Sequence, residues 1–225
     1  MSTAYNIVVD ILFFFVYTIS RSVKMHDAKK ELLLNEQKFI YYRNRNRCGK
    51  NLCYRPDRKK TAGIRQPLIE MCPYVYENAY SPHLASRIEG NPVQLSVVKQ
   101  GFDNVCRKYD YVTMEGSGGI LCPICFDEAK IQLEDVIQTL DLSCLIIADA
   151  GLGTINSVVL TVEYMRAKQI PIKGLFFNHF HPDSLLEEDN LHMCEYMTGL
   201  KVLACIRDGD TELCMDADSL AALYD

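Results

Sequence analysis

Between residues 67 and 206 the apolar positions fall into two alternating patterns. Residues 97–109 (VVKQGFDNVCRKY) space their apolar side chains as a helix does, and residues 110–119 (DYVTMEGSGG) read as a strand running into a glycine turn. Residues 133–141 read as helix, and residues 143–153 (SCLIIADAGLG) as an apolar strand ending in glycines. Residues 154–169 predict a helix with Thr154 placed to cap it, followed by a strand over 172–180, a helix over 183–199 and a strand over 201–206. Strands that are apolar throughout and alternate with helices imply an α/β fold, a parallel sheet with helices on both faces. Glycine-rich loops at the carboxyl ends of such strands are where these sheets take ligands. No internal repeat or low-complexity tract interrupts the pattern.

Residues 1–66 show no such order. Residues 38–65 carry ten Lys or Arg against one acid, Asp57, in a chain whose formal net charge is −5. That stretch is +9, leaving −14 for the rest, the usual profile of a nucleic-acid arm. Pro56 breaks any helix over 51–60. Residues 6–19 are apolar, but Asp10 interrupts them, they fall short of the roughly 20 residues that span a bilayer, and no Lys or Arg precedes them. A packed strand or helix, or residues outside the domain, are the alternatives, and no membrane role is expected. The 10 Cys are scattered, which suits reduced thiols and a cytoplasmic setting.

Three segments together resemble the dethiobiotin synthetase family. Residues 73–93 (PYVYENAYSPHLASRIEGNPV) resemble its Pro-Tyr…Ser-Pro-His-x-Ala pattern. Residues 109–124 (YDYVTMEGSGGILCPI) resemble its acidic-Gly-Ala-Gly-Gly turn, with Ser117 for Ala. Residues 148–178 resemble its Gly-Leu-Gly-Thr-Ile-Asn helix start and the strand that ends in Asn. The resemblance covers about residues 67–206 and implies a P-loop NTPase-like fold with a degraded N-terminal part. It divides the chain into an aberrant segment, 1–66, and an α/β domain, 67–225.

The residues themselves leave more than one reading open. Glu115 ends a strand and can offer a hard oxygen to Mg²⁺, or stand in solvent beside a tight turn. Gly116, Ser117 and Gly118 let backbone amides approach phosphate oxygens. Thr154 and Asn156 open a helix behind Gly153, which suits a carboxylate or phosphate, or merely a cap. Asn178 offers donor and acceptor to an adenine edge, or caps a loop; His179 and His181 beside it read as exposed. The resemblance implies ATP and Mg²⁺ as cofactors, with Glu115 on the metal, Gly116, Ser117 and Gly118 on ATP, and Asn178 and His179 at the base. It implies Ser81, Gly153, Thr154 and Asn156 at the substrate, across the interface of a homodimer. The reaction it implies closes the ureido ring of 7,8-diaminononanoate with CO₂, through a carbamate and a mixed phosphoric anhydride.

The chain departs from the family at two places. Arg207, Asp208 and Gly209 stand where a Pro-containing adenine loop belongs. More seriously, no glycine-rich loop ending Gly-Lys-Thr is present, since Gly49-Lys50 is followed by Asn51. Residues 41–64 admit codons that, read one nucleotide later, spell TTGTGTDVGKTYVTGLIVKKLQE. That is a phosphate loop and its helix. The basic block is then a wrong-frame P-loop rather than a nucleic-acid arm. The family's substrate lysine would be missing between Ile64 and Pro67, and Met25 would be a plausible original start. The chain as written is then impaired, or a non-catalytic dimerising relic. A third reading places Cys122 and Cys125 with Cys48 and Cys53 in a zinc site of a nucleic-acid-binding protein.

Overall fold

A computed structural model describes residues 15–21, 72–78, 80–108, 111–116, 118–210 and 213–225. Its centre is a five-stranded sheet ordered β2-β1-β5-β6-β7. The strands are β1 (Phe15–Arg21), β2 (Tyr111–Glu115), β5 (Ser143–Asp149), β6 (Ile172–Asn178) and β7 (Val202–Ile206), with β3 (Pro123–Phe126) and β4 (Lys130–Gln132) forming a separate hairpin. The helices are α1 (Pro82–Ile88), α2 (Leu95–Cys106), α3 (Leu133–Thr139), α4 (Thr154–Ala167), α5 (Leu185–Thr198) and α6 (Ala217–Ala222).

The β5-α4-β6-α5-β7 succession is the expected one, and its strands pair in parallel, with Asp149 opposite Asn178 and Asn178 opposite Ile206. Alternation along the strands sends side chains to two cores. Cys144, Ile146 and Ala148 of β5 join Leu175 and Phe177 of β6 beneath residues of α1 through α5. Leu145, Phe176, Ala204 and Ile206 face the other way, against Leu213, Leu223 and the partly buried Leu220 of α6. Phe176 and Phe177 are both fully buried on opposite faces, each stabilising by about 1.5–3 kcal/mol. Helices therefore cover both faces, one far more thickly than the other among the described residues.

One strand departs from the expected parallel order. β1 is antiparallel to β2 and to β5, pairing Tyr17 with Glu115 and Phe15 with Ile147. β2, β5, β6 and β7 thus all point one way, and β1 is set against them in the slot between β2 and β5. Residues 41–64, which the shifted frame reads as the phosphate loop and its helix, lie outside the described residues. A neighbouring strand in either direction satisfies the backbone donors and acceptors of β2 and β5, so the ladder closes with the apolar run near the N-terminus.

α3 and α4 are joined by a polar contact at the rim of the core. Glu134, largely buried, receives Lys168 Nζ at 3.0 Å and the Tyr164 hydroxyl. The hydrogen bond to Glu134 is the main reason the Tyr164 phenol titrates above its usual range.

Candidate active site at the carboxyl edge of the sheet

The carboxyl ends of β2, β5, β6 and β7 bring Glu115, Asp149, Asn178 and Ile206 to one edge. β1 enters at that edge near Phe15 and leaves at the other, where Arg21 lies opposite Tyr111. β1 therefore runs away from this edge, and among the described residues no loop leaves β1 here to start a helix.

Glu115 is half-buried at the end of β2, and Gly116 behind it is buried. Ser117 lies outside the described residues. Gly118 has φ +107°, a left-handed conformation that favours glycine, and its open side faces Cys122 Sγ. The turn closes through the Cys122 N–H donating to the Gly119 carbonyl at 2.9 Å.

The β5 end is more densely built. The Ala150 N–H donates to the Asn178 carbonyl at 2.8 Å. Buried Asn190 of α5 donates its side-chain amide to the carbonyls of Ala150 (2.9 Å) and Gly151 (3.0 Å). These bonds hold the turn that leads into α4. Its N-cap is Gly153, with φ +94°, so Thr154 does not cap the helix as expected. Thr154 stands one position further in, fully buried, and its Oγ1 has no hydrogen-bond partner. Asn156 is exposed on the first turn. The amides at this helix start, with the helix dipole, form an electropositive corner.

Asn178 has a buried Oδ1 without a hydrogen-bond partner. His179 is not merely an exposed neighbour: it is half-buried, with φ +54°, and its Nδ1 lies 2.7 Å from Asp149 Oδ2. Asp208 reaches toward the same ring at 3.7 Å from Nε2 and toward His181 Nε2 at 3.8 Å. His181 is the exposed one, and Glu187 pairs with it at 3.1 Å. The turn that replaces the expected proline loop is tight, with Gly209 at φ +90° and the Arg207 N–H donating to Asp210 Oδ2 at 2.8 Å.

The structure thus gathers Gly153, Thr154, Asn178 and His179, and adds Asp149, together with Asp208 of the turn that stands in for the proline loop. Asp149 had a visible signal, standing where an apolar strand meets a glycine turn. Glu115 is at the same edge but on the far side of β1. Ser81 is exposed at the N-cap of α1, a helix that packs on β3.

The donor set fits the base end of a nucleotide through Asn178. Among the described residues no group of three or more His, Cys, Asp or Glu could hold a metal, and no phosphate loop is in place. Of the four cysteines of the zinc reading, Cys125 is buried in the core and burial pushes the Cys122 thiol up; Cys48 and Cys53 lie outside the described residues. No helix among the described residues is long and apolar enough to cross a membrane.

An α/β sheet of P-loop NTPase type, with its turns loaded at the carboxyl edge, is the class this fold defines, and an AAA domain model matches residues 50–210. The ATP-dependent dethiobiotin synthetase BioD of Brachyspira hyodysenteriae is 46% identical over 168 residues, 74% of this chain and 75% of that protein. Those of Clostridium perfringens and Clostridium novyi are 38% and 43% identical, over 65% and 64% of this chain and 64% and 61% of their own lengths. The chain belongs to the dethiobiotin synthetase family. The matched span starts at residue 50, upstream of the 67 expected from the motifs.

Proposed function

We propose that this chain descends from an ATP- and Mg²⁺-dependent enzyme that closes the ureido ring of 7,8-diaminononanoate with CO₂ in biotin synthesis, and that it retains the substrate and base ends of that site. The observation that carries the reading is the pair of buried polar atoms, the Thr154 hydroxyl and Asn178 Oδ1, without hydrogen-bond partners at one edge. A buried polar atom left unpaired costs about 1–3 kcal/mol, and a ligand offering an acceptor to the hydroxyl and a donor to the amide oxygen removes that cost. Thr154, its hydroxyl hydrogen free to turn, receives the substrate carboxylate with the amides behind Gly153 and with Asn156. Asn178 and His179 form the base end. Glu115 with Gly116, Ser117 and Gly118 are assigned to Mg²⁺ and phosphate, and Ser81 to substrate. ATP, when bound, supplies the phosphoryl group that activates a carbamate oxygen.

Impairment is part of the proposal. The antiparallel course of β1 supports it, because the phosphate loop needs the strand between β2 and β5 to end at the ligand edge. It agrees with reading residues 41–64 as a wrong-frame P-loop and residues 1–66 as aberrant. Residues 50–64 fall inside the AAA-domain match, so the codons themselves are the test of that slip. Leu152 and Leu160, 83% and 63% exposed at the start and along α4, support a symmetric homodimer closing over this corner. A cytoplasmic setting goes with the same reading, as does the absence of a nucleic-acid partner.

Calorimetry with diaminononanoate and with MgATP, alongside a mass-spectrometric assay for dethiobiotin, tests the whole. Diaminononanoate binding with weak ATP binding and little or no product is expected. Tight ATP binding and normal turnover overturn the impairment; no binding of diaminononanoate overturns the assignment of the corner.

A further inference from the structure

Asp149 is the last residue of β5, and its two oxygens serve two different parts of the edge. Oδ1 accepts the Gly151 N–H at 2.9 Å, and Oδ2 lies 2.7 Å from His179 Nδ1. Position 151 is close enough to the carboxylate that an added Cβ would sit 3.0 Å from Oδ1, so a side chain there would crowd it. A carboxylate accepts only, so the imidazole proton belongs on Nδ1. A protonated Nδ1 cannot also accept from the Asn178 amide nitrogen 3.4 Å away. That approach is a contact, and the Asn178 amide keeps its hydrogen-bonding capacity for a ligand.

We propose that Asp149 is a positioning residue that fixes the Asn178–His179 corner and the Gly151–Thr154 turn to one another, so that a nucleoside base and a substrate carboxylate are received by one rigid unit. The proposal rests on the functional reading above for the identity of the two ligands. Asn190, holding the Ala150 and Gly151 carbonyls, supports the same turn from the other side. His179 holds a left-handed backbone, at φ +54°, that a non-glycine residue adopts at a cost, and its bond to Asp149 offsets part of that cost. Asp208 faces the opposite ring nitrogen from 3.7 Å and serves as the internal control.

The experiment uses the whole chain. Two-bond ¹⁵N–¹H spectra of the imidazoles report the His179 tautomer with no ligand present, and His179→Gln assigns the signal. The unaltered chain and Asp208→Asn are expected to show Nδ1–H. Asp149→Asn keeps an oxygen for Gly151 but presents an amide NH₂ to the ring, so His179 is expected to switch to Nε2–H. In calorimetry Asp149→Asn is expected to weaken adenosine by about tenfold and diaminononanoate by less than about threefold, while Asp149→Ala weakens both by about tenfold. An unchanged tautomer in Asp149→Asn, or unchanged affinity for both ligands in Asp149→Ala, overturns the proposal. If the unaltered chain binds neither ligand while the imidazoles behave as expected, the functional reading falls instead, since the tautomer is read without ligand.

Discussion

The two halves of the carboxyl edge are built differently. The β5–β6 half is made of consecutive parallel strands whose turns are cross-tied by Asp149, Asn190 and the Ala150–Asn178 bond. The β2 half lies beyond the antiparallel β1, and Glu115 ends its strand beside a glycine turn with no phosphate loop among the described residues. A site made within one β-α-β succession does not depend on the direction of other strands, because its contacts lie within that unit. A site that needs the strand beside β2 to end at the same edge does depend on it, and β1 ends at the opposite edge.

The sharpest way to break this contrast is to supply the phosphate loop proposed to be lost. A chain with residues 41–64 re-read in the shifted frame regains loop amides, a Lys and a Thr. Each charge-assisted bond contributes about 1.5–3 kcal/mol, so calorimetry should show ATP affinity rising by about 10³-fold, with turnover still poor without the substrate lysine. Equal ATP binding by both chains would remove the distinction between the two halves.

Next in size is the core under the intact half. Phe177→Ala should cost about 3–5 kcal/mol in urea unfolding, because Phe177 is fully buried beneath the helices of the thicker face. A loss below about 1 kcal/mol would mean that this face is loosely packed and that the contrast is overdrawn.

Asn190→Ala should cost about 1–3 kcal/mol, since it strips the donor from two carbonyls. It should also weaken diaminononanoate binding, whereas Glu115→Gln, in the other half, should leave that binding as it was. Calorimetry on the pair of variants separates the halves directly.

The smallest effect is a control far from the site. The Val202 N–H donates to Glu195 at 2.9 Å, and this bond holds the Glu195 carboxyl below its ordinary value of 4.5. A folded-state value lowered in this way adds stability that is present above pH 4.5 and lost as pH falls through the folded value. Glu195→Gln should therefore cost about 0.5–1 kcal/mol at pH 7, flatten the acid limb of the stability curve, and leave ligand binding alone. A changed diaminononanoate affinity would show that the start of β7 reaches the site after all.

Residues 143–206 were legible in the sequence because apolar periodicity is a local property: a strand that is apolar throughout, then a 3.6-residue stripe, specifies βα units whatever lies beside them. Glu115 and Asn178 were legible for the same reason, as polar residues where such strands stop. Thr154 was misplaced by one position, since a threonine before an apolar stripe reads as a cap, while the left-handed Gly153 took that role and left the hydroxyl buried. Asp149 and His179 are 30 residues apart, and only the parallel pairing of β5 with β6 brings them to 2.7 Å. The direction of β1 was beyond the sequence altogether. An apolar run carries the same period forwards and backwards, so its chemistry says that it can enter a sheet, and only the strands already there, with their open donors and acceptors, decide which way it runs.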